Sequence, residues 1–374
     1  MGRQLEAALT AMVHPRSPLA LFNGSYLGRR PTGIGVVARD LVDALDPDMV
    51  SLLDPLGGDR PGSLAIPACL SPEHGRRGHW QRLVWTQNEL PFLLKRSGAP
   101  LLLSPLPEAP LGRGVRSLVL AHDLLPLRHP QFTPLLAYQS LYVPMVLHRA
   151  LRVLCNSEAT AREVHDRLGV PTRQLVPIRL GFRPGLLQPL GLEREPFFLV
   201  LGRHDPHKNL ARVLRAFARL GSLGSSELWL RFVGPHDRRY TPRLQRLAAE
   251  LGISGRCCWQ AWVNDQERLR LLNRCRGLVI VSLWEGFGLP ALEAMACGAP
   301  VIAARAGALP EVVGEAALLV DPRRVEEISE AMDQLVRGPA DLERQLGRAG
   351  VERAAGFRWS DTASTVEQLL VSLA

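Results

Sequence analysis

Two glutamates, Glu285 and Glu293, lie eight positions apart in a segment whose pattern is typical of a loop that leads into a helix. An apolar run at 277–281 precedes them, Pro290 follows the loop, and Gly298 ends the helical pattern. Proline near a helix start and glycine beyond its end are the usual arrangement. We therefore expect Glu285 in the loop and Glu293 about one turn inside the helix. Both carboxylates can accept hydrogen bonds from hydroxyl groups.

The loop before this helix also offers backbone donors. Gly286, Phe287 and Gly288 form a corner ahead of Leu289, and glycine lets the N–H groups of such a corner point outward. The positive end of the helix dipole favours an anion there. A phosphate next to a polyol indicates a nucleotide sugar as the ligand. The alternative is a solvated helix start with two surface acids, because acids are common in a first helical turn.

A second loop, 202–209, follows another apolar strand pattern and carries two cations, Arg203 and Lys208. Two fixed cations can neutralise a pyrophosphate leaving group without a metal ion, and such charge stabilisation is usually a large catalytic contribution. Of the 45 basic residues only Lys95 and Lys208 are lysines, so Lys208 stands out from the arginine bias. The alternative is that both cations are ordinary surface charges.

Two short patterns resemble metal sites, and neither has enough ligands. His204 and His207 have the spacing of a metal pair, but a zinc site needs three or four ligands. Asp46 and Asp48 have the spacing at which many sugar transferases hold a divalent metal, but they follow a predicted helix. We interpret them as a helix-terminating turn. We predict no metal ion and no cofactor.

The first half begins with a strand, a glycine-rich loop and a helix, at 18–22, 23–35 and 36–45. This order is typical of phosphate-binding loops. Gly33 and Gly35 are the candidate residues, although the third glycine of the dinucleotide fingerprint is missing. A plain turn is the alternative.

His122 is the candidate side chain of the first half. It follows a strand predicted at 117–121, and open α/β sheets place ligand groups at the carboxyl ends of their strands. The imidazole could bond a sugar hydroxyl or the departing phosphate. The alternative is a histidine that caps the strand end.

Short apolar strands alternate with helical patterns of about ten residues, which predicts doubly wound parallel sheets of the α/β class. The alternation is most regular after a linker predicted at 181–189. A Gly- and Pro-rich stretch at 54–78 is predicted to be a surface loop, a helix is predicted at 80–94, and Asn209 is predicted to cap the helix at 210–220. Helical patterns also fill 135–151. A strand is predicted at 152–155, followed by a helix at 158–168 that Asn156 and Ser157 cap and Gly169 ends.

Size and charge narrow the class of protein. A chain of 374 residues suits two domains, and it contains no apolar run long enough to span a membrane. The net charge is +9, of which +7 lies in residues 1–186, so the first half suits an anionic partner such as a lipid headgroup, a lipid phosphate or a nucleic acid. An arginine-rich genome is the alternative.

Residues 1–13 include Glu6 and no clear cleavage site, so we expect no signal peptide. Six cysteines without CxxC spacing indicate reduced thiols in a cytosolic protein.

Together these residues resemble the retaining glycosyltransferases of family 4, the group 1 transferases of GT-B fold. Glu285 and Glu293 match the E-x7-E motif of that family, and 202–209 resembles its phosphate-binding loop. The likeness is weaker in the first half. There 31–35 and 122–123 resemble the glycine loop and the His-Asp pair of branches that include many mannosyl- and rhamnosyltransferases.

The resemblance implies a role for each candidate residue in binding a donor nucleotide sugar. Arg203 and Lys208 would hold the diphosphate, and Glu293 would accept from the ribose hydroxyls. The donor sugar would be held by Glu285 together with the amides of Gly286, Phe287, Gly288 and Leu289, and His122 would lie near it. The backbone near Val263 would contact the base, and Gly33 and Gly35 would close over the phosphates.

The resemblance also implies the architecture, two Rossmann-like domains that face a central cleft. Residues 1–185 would bind the acceptor, 186–356 would bind the donor, and 357–374 would form a helix that crosses back to the first domain. The implied reaction moves a sugar, with retention, from a nucleotide-diphosphate sugar such as GDP-mannose to a saccharide or lipid-linked acceptor in surface polysaccharide or lipopolysaccharide biosynthesis. A front-face displacement is the working hypothesis for its mechanism.

Two other functions stay open at this point. One is a nucleotide-sugar epimerase of similar fold, which the combination of two cations with E-x7-E disfavours. The other is a non-catalytic basic binding protein, which gives no reason for two acids at this spacing. We expect no nucleic acid partner. We expect a cytoplasmic location, and the basic first half allows peripheral contact with an anionic membrane surface at the inner face.

Overall fold

The structure is a computed structural model. It describes residues 17–29, 33–58, 60–128, 138–183, 185–221, 227–339 and 341–374. The chain divides into two units, one made of Met1–Gly181 with Arg358–Ala374 and the other of Phe182–Phe357.

The first unit is built on a parallel sheet whose described strands are ordered β3-β2-β1-β4-β5-β6-β7. Most of its strands are four or five residues long and almost wholly buried, as expected where helices cover both faces of a sheet. The strands are β1 Ala20–Asn23, β2 Val50–Asp54, β3 Leu64–Ala65, β4 Leu101–Ser104, β5 Ser117–Ala121, β6 Arg152–Cys155 and β7 Leu175–Pro177.

The helices of the first unit connect these strands. In chain order the described ones are α1 Ile34–Ala44, α2 Gly75–Asn88, α3 Leu90–Ser97, α4 Leu125–Arg128, α5 Val143–Arg149 and α6 Glu158–Leu168. Glu158–Leu168 agrees with its sequence prediction at both ends, because Ser157 caps it through its side chain and Gly169 ends it with a positive φ.

The second unit has its own parallel sheet, with the described strands ordered β10-β9-β8-β11-β12-β13. These strands are β8 Phe197–Leu201, β9 Trp229–Val233, β10 Cys257–Gln260, β11 Gly277–Ile280, β12 Val301–Ala304 and β13 Leu318–Val320. The helices are α7 Leu210–Gly221, α8 Thr241–Glu250, α9 Asp265–Arg274, α10 Leu289–Ala296, α11 Leu309–Val313, α12 Val325–Arg337 and α13 Leu342–Ala354.

The helix α14, Trp359–Leu373, returns to the first unit. It packs against α1. The Thr362 hydroxyl donates to the carbonyl of Arg179, and the backbone N–H of Asp46 donates to Glu367 Oε1 at 2.9 Å. Asp46 lies in a turn after α1 rather than in a metal site, since its carboxylate accepts the N–H of Asp48.

The sequence predictions fail in several places. The stretch predicted as a surface loop contains β3 and two short 3₁₀ turns, because the buried Asp54 carboxylate accepts the N–H groups of Leu56 and Gly58 and orders the chain there. The helix predicted at 80–94 is two helices, α2 and α3. The helical pattern predicted at 135–151 lies partly outside the described residues and otherwise forms a π turn, Tyr138–Tyr142, followed by α5.

Each unit has a separate hydrophobic core on its sheet. The six cysteines form no disulfide bond with one another. No helix in the described part of the chain is long and apolar enough to cross a membrane.

Candidate functional site

The candidate residues of the second unit lie where its strand order reverses. Strands β8 and β11 are neighbours in the middle of the sheet, and the chain continues from them toward opposite edges. Ligands of open α/β sheets bind at this switch point, outside the carboxyl ends of the strands. The loops 202–209 and 281–288 leave these two strand ends, so the topology brings together two segments that are far apart in the sequence.

Lys208 and Glu285 form the centre of this site. Lys208 Nζ donates to Glu285 Oε1 at 2.6 Å, and Ser282 Oγ donates to the same oxygen at 2.5 Å. Glu285 is only 8% exposed, so its carboxylate is stabilised by these two donors rather than by bulk water. An ammonium group has three N–H donors, and the one directed at Glu285 leaves the others able to bind a second anion.

Asn209 ties the two loops together. Its Nδ2 donates to the carbonyls of Val281 at 2.9 Å and Pro322 at 2.6 Å, and Leu283 N donates to the His207 carbonyl at 2.7 Å. Asn209 is the only non-glycine residue in the described chain with a positive φ, 63°. The side-chain amide therefore fixes the base of the site. Asn209 also stands directly before α7, and its carbonyl accepts the N–H groups of Arg212 at 3.0 Å and Val213 at 3.4 Å, as expected for a residue at the start of a helix.

The backbone of Glu285 is held from a third strand end. Its carbonyl accepts the N–H of Ala308 at 3.0 Å. At Gly307, where φ is 58°, a Cβ atom would lie 2.5 Å from the Glu285 carbonyl oxygen and 2.8 Å from its nitrogen. Only glycine permits this approach.

The glycine corner leads into α10 as predicted. Gly288 has a φ of 101° and is the residue before the helix, so the N–H groups from Leu289 onward form its first turn, while Gly286 and Phe287 lie in the loop that leads into it. The first N–H groups of a helix have no acceptor within it and carry its partial positive charge. This geometry suits oxygen atoms of a phosphate or a sugar.

Glu293 lies in the second turn of α10, as expected, and is 8% exposed. Its carboxylate forms an ion pair with Arg268 of α9. Val263 lies half-buried in the loop between β10 and α9.

Arg203 differs from Lys208, because its guanidinium is 64% exposed and pairs with Asp205 at 3.3 Å. The structure thus brings Lys208, but not Arg203, to Glu285.

His204, a candidate for a metal pair with His207, is held by contacts with other side chains. It is buried, its Nδ1 lies 2.9 Å from Thr241 Oγ1, and its ring packs against those of His236 and Trp259. Burial, followed by the neighbouring His236, lowers the pKa of His204 to about 4. No group of three or more His, Cys, Asp or Glu side chains able to hold a metal lies within the residues that the structure describes.

In the first unit, Gly33 immediately precedes α1 with a φ of 49°. A Cβ atom there would meet no other atom within 4 Å, so the positive φ, and not crowding, favours glycine. Gly35 is buried in the first turn of α1, which begins two residues earlier than predicted. The phosphate-binding prediction therefore concerns the start of a helix as well as a loop. Residues 30–32 of the predicted glycine loop lie outside the described residues.

His122 follows β5 and is buried. Its Nε2 lies 2.8 Å from the carbonyl of Pro105, which can only accept, so Nε2 carries the proton. Burial lowers the pKa of His122 to about 4, against the opposing effect of that hydrogen bond, so the ring is neutral at pH 7. Its Nδ1 then has a lone pair that can accept from a hydroxyl group.

Sequence reasoning missed three residues of the second unit, namely Ser282, Arg268 and Gly307. Ser282 directly follows the apolar strand, and Gly307 follows the next one, so position at a strand end is a signal that could have found both. Arg268 gives no such signal, since its pairing with Glu293 depends on how two helices pack.

Two family models match the chain. One, described as glycosyl transferases group 1, matches residues 186–353, and the other, glycosyltransferase family 4, matches residues 31–184. The chain belongs to the family 4, group 1 glycosyltransferases. The recognition made from the sequence is thereby confirmed, and the two matched regions carry the two sets of candidate residues.

One curated relative of this glycosyltransferase is the MMP alpha-(1->4)-mannosyltransferase of Mycolicibacterium hassiacum. It is 37% identical over 219 residues, which are 57% of this chain and 52% of that protein. The chain thus spans about half the length of this curated relative.

Solved structures agree with the fold. The sucrose-phosphate synthase of Thermosynechococcus elongatus superposes with a TM-score of 0.74 at 22% identity, over 96% of this chain and 99% of the other. Anabaena HepE in complex with UDP and glucose gives 0.72 at 18% identity, over 94% and 99%. The fold prediction of two Rossmann-like GT-B domains is confirmed.

Proposed function

We propose that this chain transfers a sugar from a nucleotide-diphosphate sugar to a saccharide or lipid-linked acceptor. The observation that carries the proposal is the Lys208–Glu285 pair at the switch point of the second sheet, 2.6 Å apart and largely shielded from water. It places a cation suited to a diphosphate beside a carboxylate suited to sugar hydroxyls. The start of α10 adds backbone donors at the same strand end.

In the proposed reaction the anomeric configuration is retained by a front-face displacement. The bond from the anomeric carbon to the phosphate oxygen breaks, and the acceptor oxygen bonds to that carbon on the same face. The acceptor proton passes to the leaving phosphate oxygen. Lys208 and Arg203 stabilise the negative charge that develops on the diphosphate, while Glu285 and the amides of 286–289 hold the sugar. Glu293 accepts from the ribose hydroxyls.

The first unit, taken by itself, offers two further ligand-binding features. Gly33 and Gly35 stand at the start of α1, where a helix favours an anionic group, and the neutral His122 ring can accept a hydrogen bond from a hydroxyl group through Nδ1. A neutral imidazole suits this role, since a protonated ring could only donate.

The donor that we favour is a mannose-type nucleotide sugar such as GDP-mannose. The curated relative that is a mannosyltransferase by name supports this choice. HepE, whose structure holds UDP and glucose, supports a nucleotide sugar in general and sets the competing donor. A role in surface polysaccharide or lipopolysaccharide biosynthesis and a cytoplasmic location remain part of the proposal.

A thermal-shift screen of GDP, UDP, ADP and their sugars, followed by a transfer assay, tests the proposal. We expect GDP and GDP-mannose to raise the unfolding temperature of the wild type, and Lys208→Met to abolish most of that shift. The product anomer, measured by NMR, would match the donor anomer. Conversion of the donor without an acceptor would support the epimerase instead. No shift with any nucleotide would leave only the basic binding protein.

A further inference from the structure

Helices α2 and α3 expose large apolar side chains on the surface of the first unit. Trp80 is 68% exposed, Val84 46% and Phe92 67%. A tryptophan and a phenylalanine exposed to this degree are unusual for a surface that meets only water, and neighbouring exposed apolar groups mark interaction sites.

The three side chains lie on one continuous helical path. Glu89, between the two helices, keeps helical dihedral angles, and its carbonyl accepts the N–H groups of Phe92 and Leu93, both at 3.1 Å. At about 100° per residue, Val84 lies about 40° around the helix axis from Trp80, and Phe92 lies about 80° beyond Val84, so the three side chains span roughly 120° of the helix surface. The opposite side of the path carries buried residues such as Leu93.

Cations lie at both ends of this exposed face. Arg76 and Arg77 are in the first turn of α2, and Lys95 and Arg96 are in the last turn of α3. All four side chains are exposed, and none of them forms a salt bridge with another described residue. Glu89 is the one exposed carboxylate between them. We call the three apolar and four basic residues the basic–aromatic face.

The basic–aromatic face is held firmly by buried contacts beneath it. Arg82 of α2 makes two bonds to Glu108, at 2.7 and 3.0 Å, and is only 3% exposed. Gln87 of the same helix donates to the hydroxyl of Tyr142 at 3.0 Å. The face is therefore preformed, and binding would cost little conformational entropy.

We propose that the basic–aromatic face binds the headgroup region of an anionic lipid bilayer. Trp80, Val84 and Phe92 would enter the boundary between headgroups and acyl chains, and the four cations would contact lipid phosphates. Trp80 and Phe92 are about 18 Å apart along the path at 1.5 Å per residue, so both reach a flat surface together when the path lies in its plane. This inference does not depend on the transfer reaction.

The residues favour a bilayer over other occupants. A second copy of the chain would place four cations opposite four like charges, with only Glu89 to offset them. A nucleic acid would use the cations and could stack on the rings, but it gives no reason for the exposed Val84. A bilayer uses both the charge and the aliphatic surface.

Vesicle flotation tests the proposal with the full chain. The probes are vesicles of phosphatidylcholine alone and with about 30% phosphatidylglycerol, at about 0.1 M and 0.5 M salt. Three double variants are compared: Trp80→Ser/Phe92→Ser, Lys95→Glu/Arg96→Glu, and the charge-matched control Arg215→Glu/Arg246→Glu, which changes two exposed arginines of the second unit. Thermal unfolding confirms that each variant is folded.

We expect the wild type to float with anionic vesicles at low salt and much less with neutral ones. Each of the two variants of the face should partition about tenfold more weakly or less, and the control should behave like the wild type. The proposal is overturned if the wild type does not float, or if the control loses as much binding as Lys95→Glu/Arg96→Glu. It is also overturned if Trp80→Ser/Phe92→Ser binds normally, a result that would favour a purely electrostatic partner such as nucleic acid.

Discussion

Replacing Lys208 with methionine should lower both stability and activity, and the two effects should separate in a double variant. The substitution leaves Glu285 with only the Ser282 hydroxyl of its two donors. Breaking a buried ion pair costs about 3–5 kcal/mol. The two side chains keep 18% and 11% of their exposure, so we expect about 2–3 kcal/mol here.

Adding Glu285→Gln to Lys208→Met removes the stranded charge while keeping a group that Ser282 can bond. The double variant should therefore be more stable than Lys208→Met alone, with a coupling energy of about 1–3 kcal/mol. Thermal unfolding measures this, since about 1 kcal/mol moves the midpoint by roughly 2–4 °C in a unit of this size. Transfer should not recover, because each residue acts on the donor. Loss of one charge-stabilising donor typically costs about 10²–10³-fold in kcat.

Arg203→Met is the matched control from the same loop. Its guanidinium is 64% exposed, so we expect little change in unfolding together with a loss of transfer. If the shifts of Lys208→Met and Glu285→Gln simply add in the double variant, the ion pair is not what stabilises the loop. If the double variant regains transfer, the proposed roles of both residues are wrong.

Three further predictions follow from single contacts. Gly307→Ala should reduce kcat/KM by roughly a hundredfold, because its Cβ displaces the Glu285 backbone, whereas Gly255→Ala, which meets no atom within 4 Å, should not change it. Arg268→Met removes the cation that pairs with Glu293 and should weaken nucleoside diphosphate binding about tenfold, measured by calorimetry, with unchanged affinity as the opposing result. The pKa of His122 is about 4 in the folded chain and about 6.5 in the unfolded one, so the unfolded state binds more protons between these values and stability is lost as pH falls through this window. Between pH 7 and pH 4, the free energy of unfolding measured with urea should fall by about 3 kcal/mol more for the wild type than for His122→Gln. An equal fall in both proteins would contradict this prediction.

The strands of both sheets could be predicted from the sequence, because they are buried on both faces and therefore appear as short apolar runs. The strand Arg152–Cys155 and the helix Glu158–Leu168 have the predicted bounds, since capping residues mark the helix ends. Helix α13 was not predicted. It contains Gly347 and Gly350, which weaken a helical pattern. Gly347 is needed for close packing, because a Cβ there would lie 2.6 Å from the Gly298 carbonyl oxygen, and a Cβ at Gly350 would lie 3.3 Å from Met295.

The residue types of the candidate site could be predicted from the sequence, but the hydrogen bonds and ion pairs between these residues could not. Lys208 and Glu285 stood out through their motifs, but the 2.6 Å contact joins residues 77 positions apart and depends on the order of the strands. The environment of Arg203 could not be foreseen either, since its pairing with Asp205 depends on how the loop is folded. The role of Asn209 as a brace follows from its left-handed backbone, which the pattern before a helix did not indicate.

The return of α14 to the first unit has a consequence for synthesis on the ribosome. In chain order the second unit, Phe182–Phe357, is an insertion between two parts of the first. Since domains generally fold as units during synthesis, the inserted unit can finish folding while the earlier one still lacks the helix that covers α1. The nascent first unit therefore exposes the apolar side of α1 until residues 358–374 emerge, and this interval is when the chain is most open to chaperones and to aggregation.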